Sequence, residues 1–199
     1  MGGRTIIERI LSVLKPLFKD IVIVTNSPHL YQRFKVKVIT DVVKGKGPLG
    51  GIYSGLLYSD FPYSMCVACD MPFLDGKLIA YMKEEIKDED MLIPRSKVGR
   101  QPFTFGKLRA SDVDTTSPSM LGLHPLHAIY SKRCIPFIEE LLNHNKLKIS
   151  ELLSMVRVRY LYQKEIERFD SQEIAFYNIN NEEDLKKAEE IDCLIMANQ

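Results

Sequence analysis

The ten residues Met65 to Leu74 read M-C-V-A-C-D-M-P-F-L and contain the most suggestive carboxylate of the chain. A short apolar run that ends in an acid and then a proline predicts a buried strand with Asp70 at its carboxyl end. In an open α/β sheet, ligands bind at that edge, and a carboxylate there suits a metal ion. The alternative is that Asp70 caps the helix beginning near Asp75 or starts a turn.

Two earlier strands also lead into polar residues. The strand Ile21 to Thr25 (I-V-I-V-T) is followed by Asn26, and the strand Val36 to Thr40 (V-K-V-I-T) is followed by Asp41. We expect these residues to share a sheet edge with Asp70 and to outline a crevice. Each of them alone is also typical of a turn or a helix cap.

A glycine-rich segment, Lys44 to Gly51 (K-G-K-G-P-L-G-G), precedes the predicted helix Ile52 to Tyr58. Glycines before a helix let the backbone approach a ligand closely, and the first helical N–H groups can face an anion. Lys44 and Lys46 add positive charge. The segment is neither a Walker A motif nor G-x-G-x-x-G, so a plain flexible loop remains the alternative.

The cysteines and the composition exclude several classes of function. Cys66 and Cys69 form a C-x-x-C motif, but inside a strand their side chains face opposite sides of the sheet. No second C-x-x-C or paired-histidine motif supplies further ligands, so a zinc-binding or redox function is not favoured. The four cysteines are irregularly spaced, which indicates a reduced, cytoplasmic protein. A net charge of +1 favours neither nucleic acid nor membrane, and no apolar run reaches the roughly 20 residues that span a bilayer.

The elements that must position these residues alternate between strand and helix along 199 residues. This alternation predicts one α/β domain, residues 1–199, with a mainly parallel sheet and helices on both faces. Near the end, a strand Ala175 to Asn180 leads into a helix Glu182 to Ala197, with Asn181 as a cap residue. Asn178 and Asn180, two apart on that strand, should share a face. The stretch 101–123 lacks any period and is expected to be a loop insertion rather than a lid.

Five motifs in register resemble the molybdenum cofactor guanylyltransferases, the molybdopterin-guanine dinucleotide biosynthesis protein A family. They are T-D at Thr40, G-P-L-G-G-I at Gly47, C-D-M-P-F-L at Cys69, H-P-L-H-A-I-Y-S at His124 and F-Y-N-I-N-N-E-E-D-L at Phe176. The resemblance covers nearly the whole chain. It implies a Rossmann-like three-layer αβα nucleotidyltransferase that joins GMP from GTP to molybdopterin, releases pyrophosphate and uses Mg²⁺.

The resemblance also implies roles for individual residues. Asp70 would be the catalytic residue that binds magnesium, and Asn178 and Asn180 would line the pterin side. Molybdoenzymes or other cofactor-biosynthesis proteins would be further partners. The residues implied in GTP binding are Asn26, Asp41, Gly47, Pro48, Gly50, Gly51 and Asp70.

The chain departs from this family at its beginning. Members open with a strand and a glycine-rich phosphate loop, whereas Gly2 to Thr5 matches only the turn that follows them. We therefore expect a gap between the strands Ile21 to Thr25 and Met65 to Cys69, and a start codon assigned too late or a fragment. Two other functions stay open: a sibling nucleotidyltransferase for another phosphorylated small molecule, and a non-catalytic cofactor-binding partner.

Overall fold

In the computed structural model of the chain, residues 3–96 and 122–197 are described. The helices are α1 (Ile6–Leu14), α2 (Gly47–Tyr58), α3 (Gly76–Glu85), α4 (Ile135–Asn143), α5 (Ile149–Leu153), α6 (Gln163–Ile166) and α7 (Glu182–Ala197). The strands are β1 (Val22–Val24), β2 (Lys37–Ile39), β3 (Tyr63–Val67), β4 (Met91–Arg95), β5 (His127–Ser131) and β6 (Val158–Tyr162). Most elements predicted from the sequence are confirmed, with ends moved by one to four residues.

The strands form two sheets. β1 and β2 pair in parallel, and the larger sheet has the order β3-β5-β4-β6. β5 runs antiparallel to both of its neighbours while β4 and β6 are parallel, so β3, β4 and β6 point in one direction. The prediction of a mainly parallel sheet is confirmed, since three of the four described strands in the larger sheet run in the same direction and only β5 runs in the opposite one.

The expected gap lies between the two sheets. β1 and β3 share no ladder within the described ranges, and each pairs with one neighbour only. Helix α2 packs against both of these strands and so holds the small sheet beside the large one. Residues at the ends of β1, β2 and β3 are therefore positioned by a common helix rather than by one continuous sheet.

Two apolar clusters, one on each face of the larger sheet, confirm the three-layer αβα arrangement. Met91 and Ile93 of β4 pack with residues of α2, α4 and α5. Leu92, which lies between them and faces the other way, packs with residues of α1 and α3. The alternation follows from the two-residue repeat of a strand, which sends successive side chains to opposite faces.

Three expectations about the site are wrong. β3 ends at Val67, after which Ala68 N donates to Leu126 O (2.9 Å) and the chain turns, so Asp70 lies in a turn and Cys69 is outside the strand. Helix α2 already begins at Gly47, because the fixed φ of Pro48 suits a first helical turn. The glycine-rich segment is therefore largely helix.

The third wrong expectation is the strand Ala175 to Asn180. The chain forms a 3-10 turn at Ile174–Phe176 and then an irregular segment, so Asn178 and Asn180 do not share a strand face. Its apolar residues pack into the core individually instead of joining a ladder. Most of the expected insertion, through residue 121, lies outside the described ranges, and the single domain with that insertion stays a prediction.

Candidate active site

The turn after β3 that carries Asp70 meets the segment that carries Asn178. Ile179 N donates a hydrogen bond to the backbone oxygen of Asp70 (2.9 Å), which places the neighbouring Asn178 against the turn after β3. The Oδ1 atoms of Asp70 and Asn178 are both buried and have no hydrogen-bond partner in the described part of the chain. Two buried acceptors without donors are costly, and a bound cation would satisfy both.

The capping alternative for Asp70 is wrong, because α3 is capped by another residue. Asp75 Oδ1 accepts from Leu78 N (2.8 Å), which is the usual role of an aspartate before a helix. The turn alternative is correct as a description of the backbone at Asp70. Burial raises the pKa of the Asp70 carboxyl, since desolvation disfavours its charged form.

The donor set fits a hard divalent cation. Carboxylate and amide oxygens are ligands for Mg²⁺, which binds through one or two carboxylates and keeps water or phosphate as its other ligands. Within residues 3–96 and 122–197, no cluster of three or more His, Cys, Asp or Glu residues could enclose a metal. Asp70 and Asn178 would supply two oxygen ligands to such a cation, whose further ligands would be water or phosphate.

A second group of predicted residues meets at the carboxyl edge of β1 and β2. Asn26 Nδ2 donates to Asp41 Oδ2 (2.9 Å), which confirms that these residues share an edge. A Cβ added at Gly51 would lie 3.9 Å from Asp41 Oδ1, so this carboxylate faces the first turns of α2 across a glycine. The missing side chain leaves room for a ligand beside Asp41.

Ser54 fixes this second group, and the sequence reasoning missed it. Its side chain is fully buried, its Oγ accepts from Val42 N (2.9 Å), and it donates to Gly50 O (2.8 Å). The hydroxyl thus ties the turn after β2 to the first turns of α2. The available signal was its spacing, since a serine four residues after Gly50 can bond back to that carbonyl oxygen.

The remaining residues of the glycine-rich segment begin the helix. Gly47 has a φ of +56°, a left-handed conformation that favours glycine, and it is exposed together with Lys44. Lys46 is less available, because its Nζ donates to Asn145 Oδ1 at the end of α4 (2.9 Å). Pro48 lies half-buried at the start of α2. The segment predicted as a loop is thus the exposed amino end of helix α2, and one of its two lysines, Lys46, already donates a hydrogen bond to another residue of the chain.

The two groups of site residues are separate in their hydrogen bonding. Asn26 and Asp41 bond to each other, Asp70 bonds to the segment around Asn178, and no hydrogen bond in the described ranges joins the pairs. Helix α2 is the element common to both, because it packs against β1 and β3.

Asn180 has a different setting from Asn178. Its side chain is exposed, and its N–H donates to Asp184 Oδ2 (3.0 Å) at the start of α7. The predicted cap is confirmed, since Asn181 Oδ1 accepts from Asp184 N (2.9 Å). This helix start anchors one end of the irregular segment that carries Asn178.

Two histidines and a phenylalanine, to which the sequence reasoning gave no role, pack beside the segment that carries Asn178. Phe176 lies with its ring 4.0 Å from that of His124, nearly parallel at 12°, and 5.0 Å from that of His127, edge-on at 72°. Burial lowers the pKa of His124 to about 4 and that of His127 to about 3, so both rings are neutral at pH 7. The two histidines in the sequence H-P-L-H were the feature that could have drawn attention to this cluster of rings.

Comparisons with known proteins agree with this geometry. A family model described as MobA-like NTP transferase domain matches residues 1–165. A chain from Desulfosudis oleivorans named molybdenum cofactor guanylyltransferase is 32% identical over 190 residues, which cover 95% of this chain and 83% of that one. The crystal structure of molybdopterin-guanine dinucleotide biosynthesis protein A from Archaeoglobus fulgidus superposes with a TM-score of 0.75 at 27% identity, covering 97% of this chain and 88% of that one.

A more distant structure supports the fold alone. The 2-C-methyl-D-erythritol 4-phosphate cytidylyltransferase from Thermus thermophilus has a TM-score of 0.62 at 12% identity, covering 96% of this chain and 90% of that one. The resemblance and the Rossmann-like fold inferred from the sequence are both confirmed. In the described ranges, no helix has the length and apolar character needed to cross a bilayer.

Proposed function

Because the chain belongs to the MobA-like NTP transferase family, we propose that it transfers GMP from GTP to molybdopterin and releases pyrophosphate. The chain is a nucleotidyltransferase; the nucleotide and the acceptor are the proposal. It is supported by the names of its relatives and by the buried, unpartnered Oδ1 atoms of Asp70 and Asn178. The burial of these two oxygens without hydrogen-bond partners in the described residues is the main structural support for the proposed mechanism.

The reaction brings two anions together. An oxygen of the molybdopterin phosphate attacks the α-phosphorus of GTP, a new P–O bond forms, the bond from the α-phosphorus to the bridging oxygen breaks, and pyrophosphate leaves with that electron pair. The site has to neutralise charge and hold the reactants in line, and it needs no nucleophile of its own. No Ser-His-Asp constellation is required.

The cation end of the site consists of Asp70 and Asn178. Magnesium, when bound, supplies positive charge to the phosphate oxygens. Asp70 Oδ1 and Asn178 Oδ1 would hold it, because both oxygens are buried without donors in the described part of the chain. In this proposal Asn180, which is exposed two residues further on, lines the pterin side together with this segment.

The nucleoside end consists of the Asn26–Asp41 pair and the start of α2. Asp41 and Asn26 hold each other at 2.9 Å and present their remaining polar atoms to the nucleoside. Gly51 keeps the space beside Asp41 free of a side chain, whereas Gly50 is packed against Lys46 Cβ and Val43 O and would contribute its backbone only. Gly47 and Pro48 begin α2, whose amino end favours an anion. Molybdoenzymes or other cofactor-biosynthesis proteins receive the product in this proposal.

Pyrophosphate release tests the proposed reaction. The chain is incubated with Mg²⁺, molybdopterin and, separately, GTP, CTP, ATP or UTP, and we expect release with GTP. Asp70→Asn should lower the rate by at least about 100-fold, since it removes the charged cation ligand. Asp75→Asn is the matched control, because asparagine caps a helix as well as aspartate does.

Three results would contradict the proposal in different ways. Preference for CTP or another nucleotide would identify a sibling nucleotidyltransferase. Absence of both turnover and GTP binding would support a non-catalytic cofactor-binding partner. Full activity of the Asp70→Asn variant would remove Asp70 from the cation site while leaving the nucleotide specificity intact.

A further inference from the structure

Phe176 is held in place by two histidine rings. His124 stacks on it at 4.0 Å, and His127 meets it edge-on at 5.0 Å. The stacked ring is itself anchored, because His124 Nε2 lies 2.9 Å from Ser96 Oγ at the end of β4. Stacked and edge-on ring pairs each add about 0.5–1.5 kcal/mol beyond simple burial. We call Phe176, His124 and His127 the aromatic clamp.

The clamp contributes ring contact rather than charge. Both histidine rings are buried and neutral, and neither nitrogen of His127 has a hydrogen-bond partner in the described ranges. His127 is also fixed through the backbone, since its position opposite Val67 places it at the last pair of the β3–β5 ladder. The clamp therefore stands on the same sheet edge as the turn that carries Asp70.

The segment after the clamp depends on a few anchors. Phe176 precedes Asn178 by two residues, and no strand ladder fixes the backbone between Tyr177 and Asn180. Tyr177, directly before Asn178, is anchored through its Oη, which donates to Asp184 O (2.8 Å), and Ile179, directly after Asn178, is anchored through its N–H, which donates to Asp70 O (2.9 Å). The side chain of Phe176 is a further anchor before Asn178, with 8% of its surface exposed.

We propose that Phe176, held by His124 and His127, is a positioning residue that sets Asn178 Oδ1 beside Asp70 Oδ1 for binding the divalent cation. The inference rests on the proposed function, since it concerns the cation of that reaction. Phe176 touches neither the nucleotide nor the reacting atoms. It acts through the backbone of the segment that it anchors, as outer residues around metal sites orient the ligands.

Binding of Mn²⁺ in the presence of GTP, measured by electron paramagnetic resonance, tests this role without requiring turnover. Phe176→Leu and His124→Leu each remove one ring of the stack while keeping an apolar side chain. We expect each to weaken Mn²⁺ binding by about 10-fold, the scale for loss of an outer-sphere contact. His124→Phe keeps a stacking ring and should bind Mn²⁺ like the original chain.

Phe169→Leu is the matched control. It removes another ring pair, Phe169 with Tyr81 at 5.0 Å, on the same face of the sheet but away from the cation site. This variant should keep its Mn²⁺ affinity. In turnover, the clamp variants should lower kcat while leaving KM for GTP unchanged, because the Asn26–Asp41 pair is untouched.

Unchanged Mn²⁺ affinity in a folded Phe176→Leu or His124→Leu variant would overturn the inference and leave the proposed function standing. Equal weakening in Phe169→Leu would also overturn it, because the effect would then be general loss of structure. If the original chain binds GTP but no Mn²⁺, the cation role of Asp70 fails and the inference fails with it. Circular dichroism of each variant confirms which chains are folded.

Discussion

Asp70→Asn should make the protein more stable while it removes the proposed cation ligand. Asp70 is half-buried, its Oδ1 has no partner in the described chain, and burial raises its pKa. An acid whose pKa is raised by folding destabilises the folded state above its unfolded pKa, which is about 3.9. Asparagine keeps the shape and carries no charge. The functional residue therefore costs stability.

The size of the effect follows from the burial of the carboxylate. Asparagine still leaves a polar group buried at this position, so the variant recovers only the cost of desolvating the charge, which for a partly exposed carboxylate is about 1 kcal/mol. A gain of about 1 kcal/mol raises the midpoint of thermal unfolding by about 2–4 °C in a chain of this size. The gain should be largest at neutral pH and shrink as the pH falls toward the unfolded pKa.

Thermal unfolding followed by circular dichroism, at pH 7 with EDTA, measures this gain. Asp41→Asn is the comparison, since Asp41 already accepts a hydrogen bond from Asn26 and should gain nothing. With Mg²⁺ and GTP at about 100 times their dissociation constant, the original chain should gain about 2.7 kcal/mol, and Asp70→Asn should gain less. An Asp70→Asn midpoint at or below that of the original chain would show that the Asp70 carboxylate does not destabilise the folded state.

Two further predictions concern the scaffold. Burial opposes ionisation of Asp90, but hydrogen bonds from the backbone and guanidinium of Arg157 lower its pKa to about 2. The free energy of unfolding should therefore fall as the pH drops from about 4 through 2. Asp90→Asn should lose about 1.5 kcal/mol of that free energy at pH 7 in a urea titration, and its stability should depend less on pH in the acid range. Gly50→Ala would bring a Cβ to 3.0 Å from Lys46 Cβ and should lower the free energy of unfolding by about 1–3 kcal/mol. In Gly51→Ala the nearest contact of the new Cβ is Asp41 Oδ1 at 3.9 Å. This second variant should keep the melting temperature but weaken GTP binding, measured by calorimetry. Equal melting temperatures for the two alanine variants, or an acid limb unchanged in Asp90→Asn, would contradict these predictions.

The sequence correctly predicted the elements whose pattern of apolar residues matches the way they pack in the fold. The run I-V-I-V-T around β1 was recognised because a short apolar run followed by polar residues is typical of a buried strand. The cap at Asn181 was also recognised, since the residue type and spacing determine that hydrogen bond locally.

Local pattern failed where tertiary contacts decide. The residues from Ala175 to Asn180 alternate like a strand, but Phe176 packs between two rings and the segment joins no ladder. The glycines at Gly47 and Gly51 suggested a loop, whereas Pro48 starts a helix there. The contact between Phe176 and His124 joins residues 52 positions apart, and one sequence cannot reveal such a pairing.

The most direct test of the central claim is a crystal structure of the chain with GTP and Mn²⁺, using the anomalous signal of manganese. If Asp70 and Asn178 bind the cation, the manganese peak lies within coordination distance of both Asp70 Oδ1 and Asn178 Oδ1, with the nucleoside beside Asn26 and Asp41. A manganese peak bound elsewhere, or nucleotide bound while Asp70 Oδ1 and Asn178 Oδ1 contact no metal, would contradict it.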